Sequence, residues 1–441
     1  MHTMWHFGRP QGLALLAVIL CVAAVGAKAD ESAPGAGNAL AIEIAGKSAL
    51  VRSAKAFIDQ HIGEILDDKL RAATADAIDN PETCIRHRAG LDAVAKARVI
   101  EALKADGLVD PEDDKRFPGG LTAGVFPPVK ADGTDCPQLT QTFTSAPGSA
   151  FGGHHSYPGG LAVHEAFNLS SDISLADNYR RAYGHTGPSG MPEITPANAS
   201  TGASDIAIDQ DIILAAPLWH DWAKTIILQW TAAGAEFPEL SFGGNGKTDK
   251  YGAAGNSKTG GHHILGVAEA MARGSPPAFV IAQASAHVAP AVGQEFMGVN
   301  WLRSAAIIAR KDPVAAGYLT KDERGRMRLP PLRRLASVPI QQTLPDESNL
   351  LVEYVLHHVS DADYPFTSAA VAEVQVLLRK IATQFGYDEN DTANYNTKFR
   401  NPVLSQLSAE RLQIIYAAQG IDGGVAEVEK VEAGGDDLGN R

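Results

Sequence analysis

From Ile42 onward, apolar residues recur every three or four positions, the spacing that lays one apolar stripe along a helix. The pattern predicts helices over 49–65, 67–78 and 91–108. Residues 109–150 break it. They are rich in Pro, Gly, Asp and Thr and read as a long irregular segment. A connection of that length inside a compact domain is expected to cover something. Residues 151–160 (FGGHHSYPGG) open a new region, and helical spacing resumes behind them. It predicts helices over about 161–182, 205–231, 261–273, 276–288, 293–310, 348–362, 366–386 and 406–419. Two polar, Gly-rich insertions interrupt the series, at 184–204 and 240–260. No stretch alternates with period two and no segment repeats, so the expected fold is all-α.

The ends of the chain read differently. Residues 1–12 carry Arg9, residues 13–25 are apolar without a charge, and Ala27-Lys28-Ala29 forms a small-x-small cleavage site before Asp30. This is the layout of a secretory signal peptide over residues 1–29. The apolar run has 13 residues, whereas a spanning helix needs about 20. Cys21 follows Leu20 rather than a small residue, which argues against lipid attachment. The chain is therefore expected in the periplasm or secreted, with no stable membrane anchor after cleavage. Residues 30–40 read as a linker. The acidic, Gly-rich stretch 421–441 reads as a mobile tail. Between them lie an N-terminal helical region with its irregular segment (42–150) and a second helical domain (151–420).

Composition narrows the function. The 441 residues are 45% hydrophobic, enough for a large core, and exclude a wholly disordered chain, a collagen or a disulfide-dense mini-protein. The formal net charge is −13, and removing residues 1–29 takes away Arg9 and Lys28 but no acid, leaving −15. Such a surface disfavours extended nucleic acid but permits a small anionic substrate in a local basic pocket. Cys84 and Cys136 remain as a candidate disulfide in an oxidising compartment; the alternative is two separate buried thiols.

Ten of the 14 histidines fall between 154 and 358: His154, His155, His164, His185, His220, His262, His263, His287, His357 and His358. Clustering of this kind, with carboxylates nearby, points to a metal site. The sharpest element is Leu218-Trp219-His220-Asp221-Trp222-Ala223-Lys224, at the end of an apolar run. Adjacent His and Asp side chains on a helix can both reach an ion over its edge, and their mixed chemistry suits Mn, Fe, Co, Zn or Mg. Asp221 has two oxygens and can bridge two ions. Lys224, one turn on, can meet an anionic ligand as a point charge. Gly243-Gly244-Asn245-Gly246-Lys247-Thr248 imitates the end of a phosphate loop but lacks its first glycine, and is expected as a surface loop.

At these residues the chain resembles the HD-domain metal-dependent phosphohydrolase superfamily, from about His154 to Asp363. Residues 154–164 (HHSYPGGLAVH) look like that family's opening segment, with His164 in the place of the first ligand. His220 and Asp221 match the family's His-Asp pair, and Lys224 the lysine that often follows it. Gly261-His262-His263 and Ser285-Ala286-His287 resemble segments that supply further histidines in two-metal members. Asp361-Ala362-Asp363 resembles the closing aspartate segment. Departures are Trp222-Ala223, where the family carries a small or aliphatic residue and glycine, and the 56-residue gap between His164 and His220.

The resemblance implies an HD-like helical bundle holding one or two divalent ions on His164, His220, Asp221 and Asp363, with His263 and His287 completing a second site. Asp221 and Lys224 would serve the chemistry. His155, His262 and Asp361 are competing candidates. The implied reaction is hydrolysis of a small phosphoester, such as a nucleotide, by a metal-activated water. Two rivals share the ligand set: a di-iron oxygenase-type member of the superfamily, and a secreted metal-binding scaffold without turnover.

Overall fold

The computed structural model describes residues 32–187, 189–191, 193, 204, 206–236, 238–246, 255–290, 294–330 and 351–434. The expected signal peptide lies outside them. The described chain is mostly helical, as the periodicity predicts. Its helices are α1 Asn38–Lys47, α2 Ala49–Ile62, α3 Asp68–Asp79, α4 Ala93–Ala105, α5 Asp113–Arg116, α6 Gly120–Val125, α7 Gly160–Tyr183, α8 Gln210–His220 and α9 Lys224–Ile227. They continue with α10 Gly261–Arg273, α11 Pro277–Ala284, α12 Glu295–Ala309, α13 Val352–Ser360, α14 Tyr364–Ile381, α15 Thr392–Tyr395, α16 Asn401–Leu407 and α17 Ala409–Gly434. None is long and apolar enough to cross a membrane.

Helix α8 is the axis. Residues Ile212 to His220 are buried without exception, and a helix apolar on all sides must be wrapped by others. Helices α7, α11, α13, α10 and α3 pack around it. Asp209 caps its start by accepting from the backbone N–H groups of Asp211 and Ile212 at 3.1 and 3.3 Å. The N-terminal region packs into this assembly. Ser48 and Asp67 cap α2 and α3 in the same way. Their buried Ile58, Ile62 and Leu70, with Leu103 of α4, join one apolar core with Leu218, Trp219, Leu265 and Leu302.

The irregular segment 109–150 is anchored at several points. Leu121, Val125, Leu139 and Phe143 enter the main core. A disulfide joins Cys84 to Cys136 with Cα atoms 4.8 Å apart. Within the second insertion, β1 Ser241–Phe242 pairs with β4 Thr259–Gly260, and β2 Asn245–Gly246 with β3 Gly255–Asn256. A third short pair joins β5 Thr320–Lys321 to β6 Met327–Arg328. Gly243 and Gly244 are buried, against the surface-loop expectation, whereas Gly246 is exposed and Lys247 and Thr248 lie outside the described residues; a Cβ on Gly244 would lie 2.0 Å from Ser257 Oγ. Close packing, not phosphate binding, explains glycine there.

Two other expectations change. The helix expected over 205–231 stops at His220, turns at Asp221–Ala223 and restarts as α9. The acidic stretch from 421 is not a mobile tail as far as Gly434; past a break in helical geometry at Gly420 (φ 70°, ψ −164°) it forms the second helical segment of α17. Its Val425, Val428 and Val431 recur every third residue and pack with Val374 and Leu377 of α14 in a smaller second core. Residues 435–441 lie outside the described part.

Candidate metal centre

Five elements converge on one point. Helix α7 brings His164 from its first turn. Its entry depends on Gly159, which is left-handed (φ 85°), and on Gly160, where a Cβ would meet the His155 carbonyl oxygen at 1.9 Å. Helix α8 delivers His220 as its last residue and Asp221 as its cap. Helix α10 begins at Gly261 and presents His262 in its first turn. The turn after α11 carries His287, and Asp361 caps the end of α13.

The donor atoms form two groups that share Asp221. Around its Oδ2 lie His164 Nε2 at 3.2 Å and His220 Nε2 at 3.5 Å. The same two nitrogens stand 3.3 and 3.5 Å from Asp361 Oδ1. Asp221 Oδ1 faces His262 Nε2 at 3.0 Å, and one donor atom each of Asp221, His262 and His287 falls within a 4.8 Å group. Four tetrahedral bonds of about 2.1 Å place donor atoms about 3.4 Å apart, close to what the first group shows. Direct charge-assisted hydrogen bonds would be shorter, at about 2.7–2.9 Å. His220 Nε2, Asp221 Oδ1 and His262 Nε2 are buried with no hydrogen-bond partner. Buried polar atoms are normally satisfied. Imidazole and carboxylate donors, orphaned and aimed at common points, fit divalent ions.

The other ring nitrogens are held from behind. His220 Nδ1 donates to the Pro217 carbonyl at 2.8 Å. His262 Nδ1 donates to Glu239 Oε1 at 2.6 Å, and the same oxygen accepts the His262 backbone N–H at 2.8 Å. His287 Nδ1 exchanges a hydrogen bond with Thr259 Oγ1 at 2.7 Å. Such contacts fix the tautomer and turn Nε2 toward the ion.

Charge tells the same story. Burial alone would strip the proton from His164, yet Asp221 and Asp361 raise it to about 9. Burial also opposes the proton on His220, but Glu165, Asp221 and Asp361 hold it up to about 10. His262 reaches about 9 against its own burial, through Glu239 and Asp221. His287, pushed down by burial and by His262, falls to about 4. The acids demand positive charge, and protons supply it where no metal does.

Lys224 is buried, pairs with Asp221 and donates to the Gly148 carbonyl. It also lines a cleft of about 330 Å³ with Ser149, His154, Asp221, Glu239, His262, His287, His358, Asp361 and Tyr364.

Two expected ligands are displaced. Asp363 does not reach the centre; Asp361 does. The chain turns between α13 and α14, so carboxylates two residues apart face different ways, and Asp363 Oδ2 lies 3.7 Å from His155 Nε2. His263 does not point at Asp221; His262 does, because Glu239 pins it. About 100° round the helix, His263 donates to the Ala284 carbonyl at 3.1 Å and stacks on His287 at 4.2 Å between centroids.

Sequence reading missed Glu239, Thr259, Glu165 and Asn168. Glu239 and Thr259 lie at the two ends of the polar insertion, and nothing local marks them. Glu165 follows His164 directly, which is a signal, and it is buried against His220 at 3.6 Å. Asn168, one turn on, reaches Asp361 Oδ1 at 3.3 Å. Compared with protein-family models, curated proteins and solved structures, the chain matches none.

Proposed function

We propose that this chain is a metal-dependent phosphohydrolase of the HD-domain kind, acting on a small phosphoester. The observation that carries the reading is the placement of Asp221, whose two oxygens face two separate sets of histidine Nε2 atoms. A first ion fits His164, His220, Asp221 and Asp361; a second fits Asp221, His262 and His287. Ions bound there bring a water toward neutral pKa and offset charge on phosphoryl oxygens.

The residues of the chain do the rest. Lys224 stands in the cleft as a fixed cation; burial works against its charge, but Asp221, Glu165 and Asp361 keep it protonated. His358 donates Nδ1–H to the Ala286 carbonyl at 2.7 Å and lines the cleft, which orients its ring beside a bound substrate. His154 and Ser149 add polar contacts on the same wall. A volume of about 330 Å³ suits a small ester rather than a polymer. The Cys84–Cys136 disulfide supports a site of action outside the cytosol, in the periplasm or secreted.

The test uses chain purified without chelator and a panel of phosphomonoesters, phosphodiesters and nucleotides, with Mn, Fe, Co, Zn or Mg supplied. Metal-dependent release of inorganic phosphate or a nucleotide product, abolished in Asp221→Asn, supports the proposal. Bound metal with no release from any ester overturns it. Substrate-dependent oxygen uptake instead would move the site to the oxygenase reading.

A further inference from the structure

We propose a third cation site beside this centre, formed by His155, Asp363 and His164 and positioned by Tyr157. It rests on the metal-centre reading, because His164 is shared.

Asp363 and His155 are left over by the centre, and they face each other. His155 Nε2 and Asp363 Oδ2 are 3.7 Å apart, beyond a hydrogen bond. The His155 side chain is only 4% exposed, and both its Nε2 and Asp363 Oδ1 are buried without a partner. The third donor is His164. Its Nε2 faces Asp221 and Asp361, while its Nδ1 is buried and unpartnered; with both ions bound, His164 gives up both ring protons to solvent and bridges the two ions as an imidazolate. One donor atom each of His155, His164 and Asp363 lies within a 4.8 Å group.

The back of His155 is occupied, as expected of a ligand. Its Nδ1 lies 3.2 Å from the Tyr157 hydroxyl and 3.6 Å from Glu410 Oε1. That leaves Nε2 as the outward donor. The backbone is equally fixed. His155 is left-handed at φ 49°, and its carbonyl accepts from the Gly148 N–H at 2.9 Å. The simpler alternative is an imidazolium held between Asp363 and Glu410. Such a pair would close to about 2.7–2.9 Å on each side, and neither side does. Two imidazoles and a carboxylate select a divalent ion of the Mn, Fe, Co or Zn type. Occupancy would tie the turn before α7, through His155, to the turn after α13, through Asp363.

The experiment titrates Mn(II) into the full chain after chelator stripping, with the electron paramagnetic resonance signal of free Mn(II) reporting the bound fraction. Wild type should saturate at three equivalents, and Asp363→Asn at two. Tyr157→Phe, which removes only the hydroxyl behind His155, should weaken only the third equivalent, by about 10–100-fold. Saturation of wild type at two equivalents overturns the third site and leaves the centre standing. So does a third equivalent that survives Asp363→Asn. Wild type binding no Mn(II) overturns the third site and the metal centre together.

Discussion

Two of the buried histidine–carboxylate networks among the described residues differ in how their carboxylates are satisfied. The first is the candidate metal centre. The second joins α10 to the loop before α4, where the Glu269 carboxylate accepts four hydrogen bonds. Its Oε1 takes the Arg86 N–H at 3.0 Å and Arg273 Nε at 2.7 Å; its Oε2 takes the His87 N–H at 3.0 Å and His87 Nδ1 at 2.8 Å. Arg273 continues to Asp76 at 2.7 Å and Thr83 at 2.8 Å. Both carboxylate oxygens are satisfied by the protein itself. At the centre, Asp221 Oδ1 and two histidine nitrogens have no such partner; in the second network the carboxylate is complete and His87 Nε2 alone is left over. Burial and residue type are alike in both places. Satisfaction separates a structural tie from a site that waits for a ligand.

That contrast predicts opposite mutational signatures. Asp221→Asn should lower turnover by about 10⁴-fold or more, since it removes a donor shared by two ions. Its unfolding midpoint without metal should fall less than that of Glu269→Gln, because the asparagine amide oxygen can still accept from Lys224 Nζ, the buried tie that Asp221 makes. Steady-state kinetics and chelator-treated melts on one preparation check both halves. A variant that unfolds instead would make Asp221 a structural residue.

Glu269→Gln should do the reverse. Breaking a buried, hydrogen-bonded ion network costs about 3–5 kcal/mol, while turnover per folded molecule stays near wild type. Acid should erase the difference. Burial would raise the Glu269 pKa, but His87 and Arg273 hold it at about 2, below the ordinary value of 4.5. Its contribution is therefore complete above about pH 4.5 and is lost as pH falls toward 2. Denaturation at pH 7 and at pH 3 should show a large gap between wild type and variant, then a small one. An equal gap at both pH values would break the assignment.

Much of this contrast was legible in the residues. Helical spacing announced an all-α chain, and the His220-Asp221 pair at the end of an apolar run announced the centre. Direction within a turn was not legible. His262 and His263 are neighbours on one helix, and Glu239, from beyond a polar insertion, decides which one faces the ion. Asp361 and Asp363 are separated by a single alanine, and the bend between α13 and α14 decides between them. Helical extent at the C-terminus was hidden too. Glycines and acids between 421 and 434 suggest a tail, but valines at every third position find a partner surface on α14 that no local pattern displays.

Metal itself should sharpen the comparison next. Ligand that binds only the folded chain stabilises it by about 2.7 kcal/mol at a hundredfold excess over Kd. Mn(II) or Zn(II) should raise the melting temperature of wild type and of Glu269→Gln, and that of Asp221→Asn by less, since only the site at His155 and Asp363 is left intact there. Binding should also release protons. His164, His220 and His262 are held protonated to about 9, 10 and 9, so at pH 7 each gives up a proton to act as a ligand. His287, at about 4, has none to give. Affinity should therefore rise with pH across 7 to 9, with release of two to three protons, read from calorimetry in buffers of different ionisation enthalpy. Release of none would mean that these histidines are not ligands.

The smallest effect concerns Glu239, which touches no ion in the proposed arrangement and acts through His262. Glu239→Gln keeps a carbonyl oxygen where the carboxylate accepted two hydrogen bonds, at 2.8 and 2.6 Å, so α10 keeps its start. It removes the negative charge that makes His262 a better donor. Loss of such a partner lowers metal affinity by about 10–100-fold. The loss should fall on the ion at His262 and His287 alone, leaving the ion at His164, His220 and Asp361 with wild-type affinity. Turnover should recover at raised metal concentration, which a misfolded variant would not do. If both equivalents weaken together, the two groups around Asp221 act as one site, and the division of its carboxylate between two ions is wrong.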